Sequence, residues 1–254
     1  MRKYAVITGA SSGIGLEFAN ILASQNYDLL ICSRDKSELN KIATKLQLSN
    51  GVSVDFVALD LSKTSSVEKL WRRVGNKKVD ILINNAGFGD LNTVIDANPE
   101  KLTSMIELNI TTLTLLSKLA AEHMVKNKNG KILNVASVAA FLPGPGMATY
   151  YATKSYVLSF SEALSEELKG TGVTVSALCP GPTKTHFAET AEADKSDIFS
   201  GKLPSAYEVA QYGLKSLNKN RVVAVHGIKN KIQVQLTRIF PRSLVRYIVG
   251  KIQL

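Results

Sequence analysis

Cysteine is scarce in this chain. Only Cys32 and Cys179 occur among its 254 residues, far apart and each inside an apolar run. Neither a disulfide framework nor the paired ligand spacing of a zinc site is therefore available, and both thiols are expected to be buried, reduced and inert. Histidine is rare too: His123, His186 and His226 are scattered, and no metal site is suggested. No apolar segment is long enough to cross a bilayer. The opening Met-Arg-Lys passes straight into a strand-like run, without the apolar stretch of a secretory signal. A cytoplasmic location is the expectation. Repeats, low-complexity tracts and linkers are also missing, so residues 1–254 are read as one domain.

Acid is absent from one end. Eight of the 31 Lys and Arg lie from Lys219 onward, where no Asp or Glu occurs, and the 218 residues before it carry 23 bases against 21 acids. The formal charge of +10 thus describes a nearly neutral body with a basic tail. No nucleic-acid motif accompanies that tail, so a nucleic-acid partner is not expected. Within the tail, residues 228–254, Pro241 starts a terminal helical pattern. Leu244, Val245, Ile248 and Ile252 lie roughly opposite Arg242 and Arg246. Such a helix either docks on its own domain or makes a weak contact with an anionic membrane surface.

What is present is an alternation. "KYAVIT", "DLLICS", "VSVDFVALD", "VDILIN", "GKILNVAS", "VTVSALCP" and "RVVAVH" read as strands, with helical patterns between them. Runs apolar on both faces, joined by helix-length connections, predict an α/β fold with a parallel sheet covered on both sides. Two irregular segments, "SVAAFLPGPGMA" and "GPTKTHFAETAEADKSDIFSGKLPS", follow strand ends, where ligands bind in open sheets. The second is read as a substrate loop over residues 183–206. "VAAFLPGPGM" with Phe187 offers an apolar wall, which suits a lipid-like or aromatic carbonyl better than a sugar.

After the first strand comes "TGASSGIG", with Gly9, Gly13 and Gly15 leading into a helix. Glycines there permit positive φ and close backbone approach to a pyrophosphate, which meets the free N–H groups of the helix start. Further on, Tyr150 and Tyr151 stand side by side, four and three residues before Lys154. A nearby ammonium favours a phenolate, as proton transfer to a carbonyl oxygen near neutral pH requires. Helical spacing alone prefers Tyr150 only mildly.

The Gly-x-x-x-Gly-x-Gly spacing behind Thr8 resembles the short-chain dehydrogenase/reductase family. So do "NNAG" at 84–87, "LNI" at 108–110, "VAS" at 135–137, Tyr150 with Lys154, and "CPG" at 179–181, in the family's order. The resemblance implies a Rossmann-type doubly wound parallel sheet, seven strands ordered 3-2-1-4-5-6-7, with helices on both faces. It makes Tyr150 the catalytic acid/base of the Tyr-x-x-x-Lys pattern and gives Ser137 the substrate oxygen. Lys154 also holds the nicotinamide ribose, and Asn109 supports a water-linked proton relay. Asn109 also opens an Asn-Ile-Thr sequon, which is coincidental in a cytoplasmic chain.

By the same resemblance the cofactor lies on Gly9, Ser11, Ser12, Gly13, Ile14 and Gly15. Asp60 and Leu61 border its adenine, Asn85, Ala86 and Gly87 its inner side, and Pro180, Gly181, Thr183 and Thr185 its nicotinamide end. Ser33 takes the slot where NAD-binding relatives carry an acid, and Arg34 follows it, which favours NADP(H) over NAD. Asp35 is assigned instead to opening the next helix, three residues before Glu38. Ser12 stands where many NADP-preferring relatives have a second basic residue.

The implied reaction is reversible hydride transfer between NADP(H) and a carbonyl or secondary alcohol, in an apolar ketone or 3-oxoacyl-type substrate, with reduction the favoured direction. The competing readings are an epimerase or dehydratase, which usually needs a longer chain, and an NADPH-binding redox sensor or scaffold without turnover. Stretches 101–126 and 148–169 correspond to the helices through which relatives form homodimers and homotetramers. The segment "IKNKIQVQLTRIFPRSLV" resembles the tail of the DltE-like bacterial subgroup.

Overall fold

A computed structural model describes residues 2–191 and 201–253. The chain runs β1 (Lys3–Thr8), α1 (Gly13–Ser24), β2 (Tyr27–Ser33), α2 (Lys36–Asn50), β3 (Val54–Ala58), α3 (Ser65–Val74), β4 (Ile81–Asn84) and α4 (Pro99–Ile106). It continues through α5 (Leu113–Lys126), β5 (Gly130–Val135), α6 (Ala148–Glu167), β6 (Val173–Cys179), α7 (Phe187–Thr190), α8 (Ala206–Asn218), β7 (Val223–Val225), α9 (Ile228–Ile239) and α10 (Arg242–Gln253). The seven strands form one parallel sheet in the order β3-β2-β1-β4-β5-β6-β7. This is the doubly wound Rossmann-type arrangement.

The sheet is buried on both faces because its strands are apolar on both. Alternate residues of β1 divide the core: Ala5 and Ile7 pack with Phe18, Leu22, Leu39 and Leu214 of α1, α2 and α8. Tyr4 and Val6 pack with Leu70, Leu116 and Ala120 of α3 and α5 on the other face. Both cysteines are free and buried, Cys32 in the second of these layers and Cys179 in a smaller cluster with Leu113 and Val157.

The expected strands all appear, and the helical stretch 101–126 lies in a run that stays helical from Pro99 to Lys126 but changes its winding in the middle. Residues Glu107–Thr112 form a π turn between α4 and α5, and Asn109 lies within it. Inserted π turns concentrate at functional sites, because an extra residue re-aims the side chains around it. In the loop at 183–206, α7 covers Phe187–Thr190, and Lys184 bridges to Ser205, whose hydroxyl and Glu208 form the capping box of α8. Residues 192–200 of that loop lie outside the described residues. The tail forms two helices, and Val234 of α9 and Val245 of α10 are buried against the body.

Candidate active site

The carboxyl ends of β1, β2, β3, β4, β5 and β6 open into a cleft of about 820 Å³. Its polar floor begins at the turn after β1. Gly9 and Gly13 both adopt positive φ, at 65° and 54°, a region only glycine enters freely. Gly15 is needed for a different reason: a Cβ there would stand 2.1 Å from the Gly9 carbonyl oxygen and 2.5 Å from Asn85 Nδ2. The turn is tied to β4 by Thr8. Its hydroxyl accepts the main-chain N–H groups of Asn85 and Ala86, both at 3.0 Å, while Asn85 Nδ2 donates to the Thr8 and Gly9 carbonyls at 3.1 Å. Ser12 makes no side-chain cap and the first turn of α1 holds no acid. The leading N–H groups and the positive end of the helix dipole are thus left for an anion.

At the end of β2 the Ser33 hydroxyl is buried with no hydrogen-bond partner, an arrangement that asks for a ligand or water. Exposed Arg34 beside it makes no hydrogen bond or ion pair among the described residues and lines the cleft. Asp35 also reaches the cleft wall, yet its Oδ1 accepts the Glu38 N–H at 2.9 Å and caps α2. Asp60 accepts both the hydroxyl and the N–H of Ser62, at 2.7 and 3.1 Å, which hold its carboxyl below the usual range with Lys63 and Arg34 adding to the effect.

At the far end, Ser137, Tyr150 and Lys154 share one wall. Ser137 leaves β5 as the cap of a short 3₁₀ turn. Its Oγ accepts the Ala139 N–H at 3.1 Å and donates to the Pro180 carbonyl at 3.4 Å, with Tyr150 on the same wall. Lys154 Nζ donates to the Val135 carbonyl at 2.9 Å and lies 5.8 Å from the Tyr150 ring centroid. Burial pushes the Lys154 ammonium down to about 8, against a small upward pull from Cys179. Burial drives the Tyr150 phenol upward, with neighbouring Ser137 pulling the other way. Tyr151 lines the same cleft, its ring edge-on to Tyr150 at 6.0 Å.

Asn109 does not form the wall. It stands behind Gly87, where a Cβ would meet its Oδ1 at 2.8 Å. Its Oδ1 accepts the Phe88 N–H at 3.2 Å, and its Nδ2 donates to the Phe88 carbonyl and to Thr153 Oγ1, each at 3.0 Å. Gly15 likewise sits behind the surface. The remaining expected positions, Gly9, Ser11, Ser12, Gly13, Ile14, Ser33, Arg34, Asp60, Leu61, Asn85, Ala86, Gly87, Pro180, Gly181, Thr183 and Thr185, all line the cleft. A buried chain beneath them fixes α6 to the sheet: Asn84 Nδ2 donates to Ser117 and Asn134, and Asn134 Nδ2 donates to Ser161, all at 2.9 Å.

Sequence reasoning missed several wall residues. Lys101 and Ser104 come from α4, Gln233 from α9, and Val249 and Ile252 from α10. Lys101 is ion-paired at 2.6 Å with Asp90, which is buried. No spacing signal could have found the tail residues, because their place depends on how two distant helices dock.

A sheet wound in this order, with a glycine turn at one end of its cleft and a Ser-Tyr-Lys wall at the other, defines a nucleotide-binding oxidoreductase. Residues 3–196 match the short chain dehydrogenase family, and the chain belongs to it. It is 33% identical over 189 residues to human 17-beta-hydroxysteroid dehydrogenase type 3, covering 73% of this chain but only 60% of that protein. It is 31% identical over 194 residues to the 3-oxoacyl-[acyl-carrier-protein] reductase of Synechocystis, covering 76% and 78%. Among solved structures, a short-chain dehydrogenase from Sphingobium yanoikuyae in complex with NADPH superposes with a TM-score of 0.84 at 31% identity, covering 93% of this chain and 94% of that one. A bulky-bulky ketone specific alcohol dehydrogenase from Comamonas testosteroni gives 0.80 at 28% identity, covering 93% and 92%. The finer likeness to the DltE-like subgroup gains no support from these relatives.

Proposed function

We propose that the chain is an NADP(H)-dependent oxidoreductase acting on an apolar ketone or 3-oxoacyl-type carbonyl, and on the corresponding secondary alcohol in reverse. The observation that carries this is the meeting of the Ser137 hydroxyl, the Tyr150 phenol and the Lys154 ammonium on one wall of a cleft whose other end is a phosphate-type glycine cradle. The cradle fits a dinucleotide: Gly15 admits no Cβ, and Ser33 Oγ is buried without a partner. Arg34 at the end of β2 favours the 2′-phosphate of NADP, in keeping with the NADPH held by the Sphingobium relative. Human and Synechocystis relatives named for a hydroxysteroid and a 3-oxoacyl carrier protein support an apolar carbonyl, as do Leu142, Met147 and Phe187 in the cleft wall.

When bound, NADP(H) supplies or accepts the hydride. The protein's part is to move the proton and to hold the carbonyl. Ser137 hydrogen-bonds the substrate oxygen, and Tyr150 gives its phenolic proton to the developing alkoxide. Lys154, still mostly ammonium at pH 7, stabilises the phenolate left behind and holds the ribose hydroxyls. Asn109 is a positioning residue. Both ends of its amide are bonded to Phe88 and Thr153, so its place in a proton relay falls to the main chain of the π turn.

The test is NADPH oxidation by the purified chain against bulky ketones and 3-oxoacyl thioesters. Turnover lost in Tyr150→Phe and kept in Tyr151→Phe is the expected result. NADPH binding without turnover of any member would favour a sensor. We also infer a homo-oligomer built through α4, α5 and α6, a reading supported by Ile106 and Tyr156, exposed on these helices.

A further inference from the structure

The tail helices dock on the body and still keep a second apolar face in the open. The docked side is anchored: Val234 and Val245 are buried, Asn230 lies so close to Gly181 that a Cβ there would meet its Nδ2 at 2.5 Å, and Gly250 packs near Pro145. On the outer side, Ile228 is 77% exposed and Ile239 75%, with Ile232, Phe240, Tyr247 and Ile248 also exposed. Bare aliphatic and aromatic side chains at this density mark an interaction surface. Interleaved with them are Lys229, Lys231, Arg238, Arg242, Arg246 and Lys251, with no acid between residues 228 and 254. None of the six makes an ion pair among the described residues.

That charge selects the occupant. A second copy seated face to face would set these cations against their own copies, because a two-fold contact repeats the same patch on both sides. An anionic bilayer offers the complement: headgroup charge for the bases and acyl chains for the apolar side chains. The face also runs into the cleft. Gln233, Val249 and Ile252 line it, and Ile252 is at once a wall residue and exposed.

We propose that α9 and α10 seat the protein on an anionic membrane surface with the cleft mouth beside it, so that its ketone substrate is drawn from the bilayer. The seat stands on the exposed face alone; the substrate source rests on the oxidoreductase reading above.

The experiment uses the full chain with vesicles of phosphatidylcholine, alone or mixed with phosphatidylglycerol. Co-sedimentation at least about tenfold greater with the anionic vesicles, and weakened by salt, is expected. The double variants Ile239→Ser/Phe240→Ser and Arg242→Glu/Arg246→Glu should each lose most of it, while Ile106→Ser keeps it. Equal sedimentation with both vesicles, or variants that bind like the parent, overturns the seat. So does a change of oligomeric state in Ile239→Ser/Phe240→Ser with no vesicle binding by the parent, which would mean a second copy covers the face. For the substrate source, kcat/KM on a long-chain ketone held in vesicles should fall about tenfold in the double variants, and on a water-soluble ketone it should not change. Equal change on both ketones overturns delivery from the bilayer. Vesicle binding without turnover of any ketone leaves the seat standing and removes the oxidoreductase reading.

Discussion

At the scale of single residues, the site places a cation where burial works against it. Lys154 is held near 8 rather than its ordinary 10.5 because its ammonium is desolvated. The folded state therefore prefers the neutral amine. The cost of burying the charge is complete below pH 8 and disappears as pH rises from about 8 to 10.5. Lys154→Met should thus melt above the parent at pH 7, by on the order of 1–3 kcal/mol less the lost bond to Val135. The gap should close toward pH 10 in calorimetry without cofactor. Catalysis runs the other way: kcat/KM for ketone reduction should hold steady near neutrality and fall above about pH 8 as Lys154 deprotonates. A rate unchanged up to pH 10 would remove the ammonium from the mechanism. Tyr150→Phe should cost about 10²–10⁴-fold in kcat, the range of a lost general acid. Tyr151→Phe should change little, since its ring packs edge-on against Tyr150 and the proton donor proposed is Tyr150. Arg34→Ala should cut the preference for NADPH over NADH about 10–100-fold, read from the two dissociation constants, as a lost charge-assisted contact does.

At the scale of elements, the strands were legible and the joints between helices were not. An apolar run such as "VDILIN" reads as a buried strand because both its faces must be covered, and β4 forms inside it at Ile81–Asn84. The helical pattern from 101 to 126 carries no mark of the π turn at 107–112, because periodicity hardly changes when one residue is inserted. Asn109 was therefore legible as a site residue but not in the way it is held. Thr8 was legible only as the residue before the glycines. Its hydroxyl accepts two N–H groups from a segment 77 and 78 residues away. Thr8→Val keeps the shape and leaves those donors without an acceptor. It should destabilise the fold by about 1–3 kcal/mol in urea melts and loosen the cradle. Gly15→Ala should be harsher on cofactor binding than on folding cooperativity, since the clash is with the Gly9 carbonyl of the turn itself. Loss of NADPH binding at intact circular dichroism is the expected readout.

At the scale of the whole molecule, a cleft shared by six strand ends and two tail helices couples cofactor binding to global stability. NADPH at a hundredfold its dissociation constant should add about 2.7 kcal/mol, raising Tm by about 5–10 °C for a chain of this size. Arg34→Ala should show a smaller shift at the same concentration. The sequence by itself determined the strands and a covered parallel sheet, and the order of that sheet and the candidate site residues came from the family resemblance of its motifs. Runs apolar on both faces need cover on both sides, which a parallel sheet between helix layers supplies, and the motifs that resemble the family lie at the ends of those strands. The capping of α2 by Asp35 was equally local, and so could be read from three residues. Only the tertiary structure decided what depends on distant surfaces meeting. It buried the Lys154 ammonium beside Tyr150, turned Asn109 inward to Phe88 and Thr153, and laid the basic tail along the rim of the cleft with one apolar face buried and the other bare. Those outcomes follow from burial and docking, which no local pattern of residues encodes.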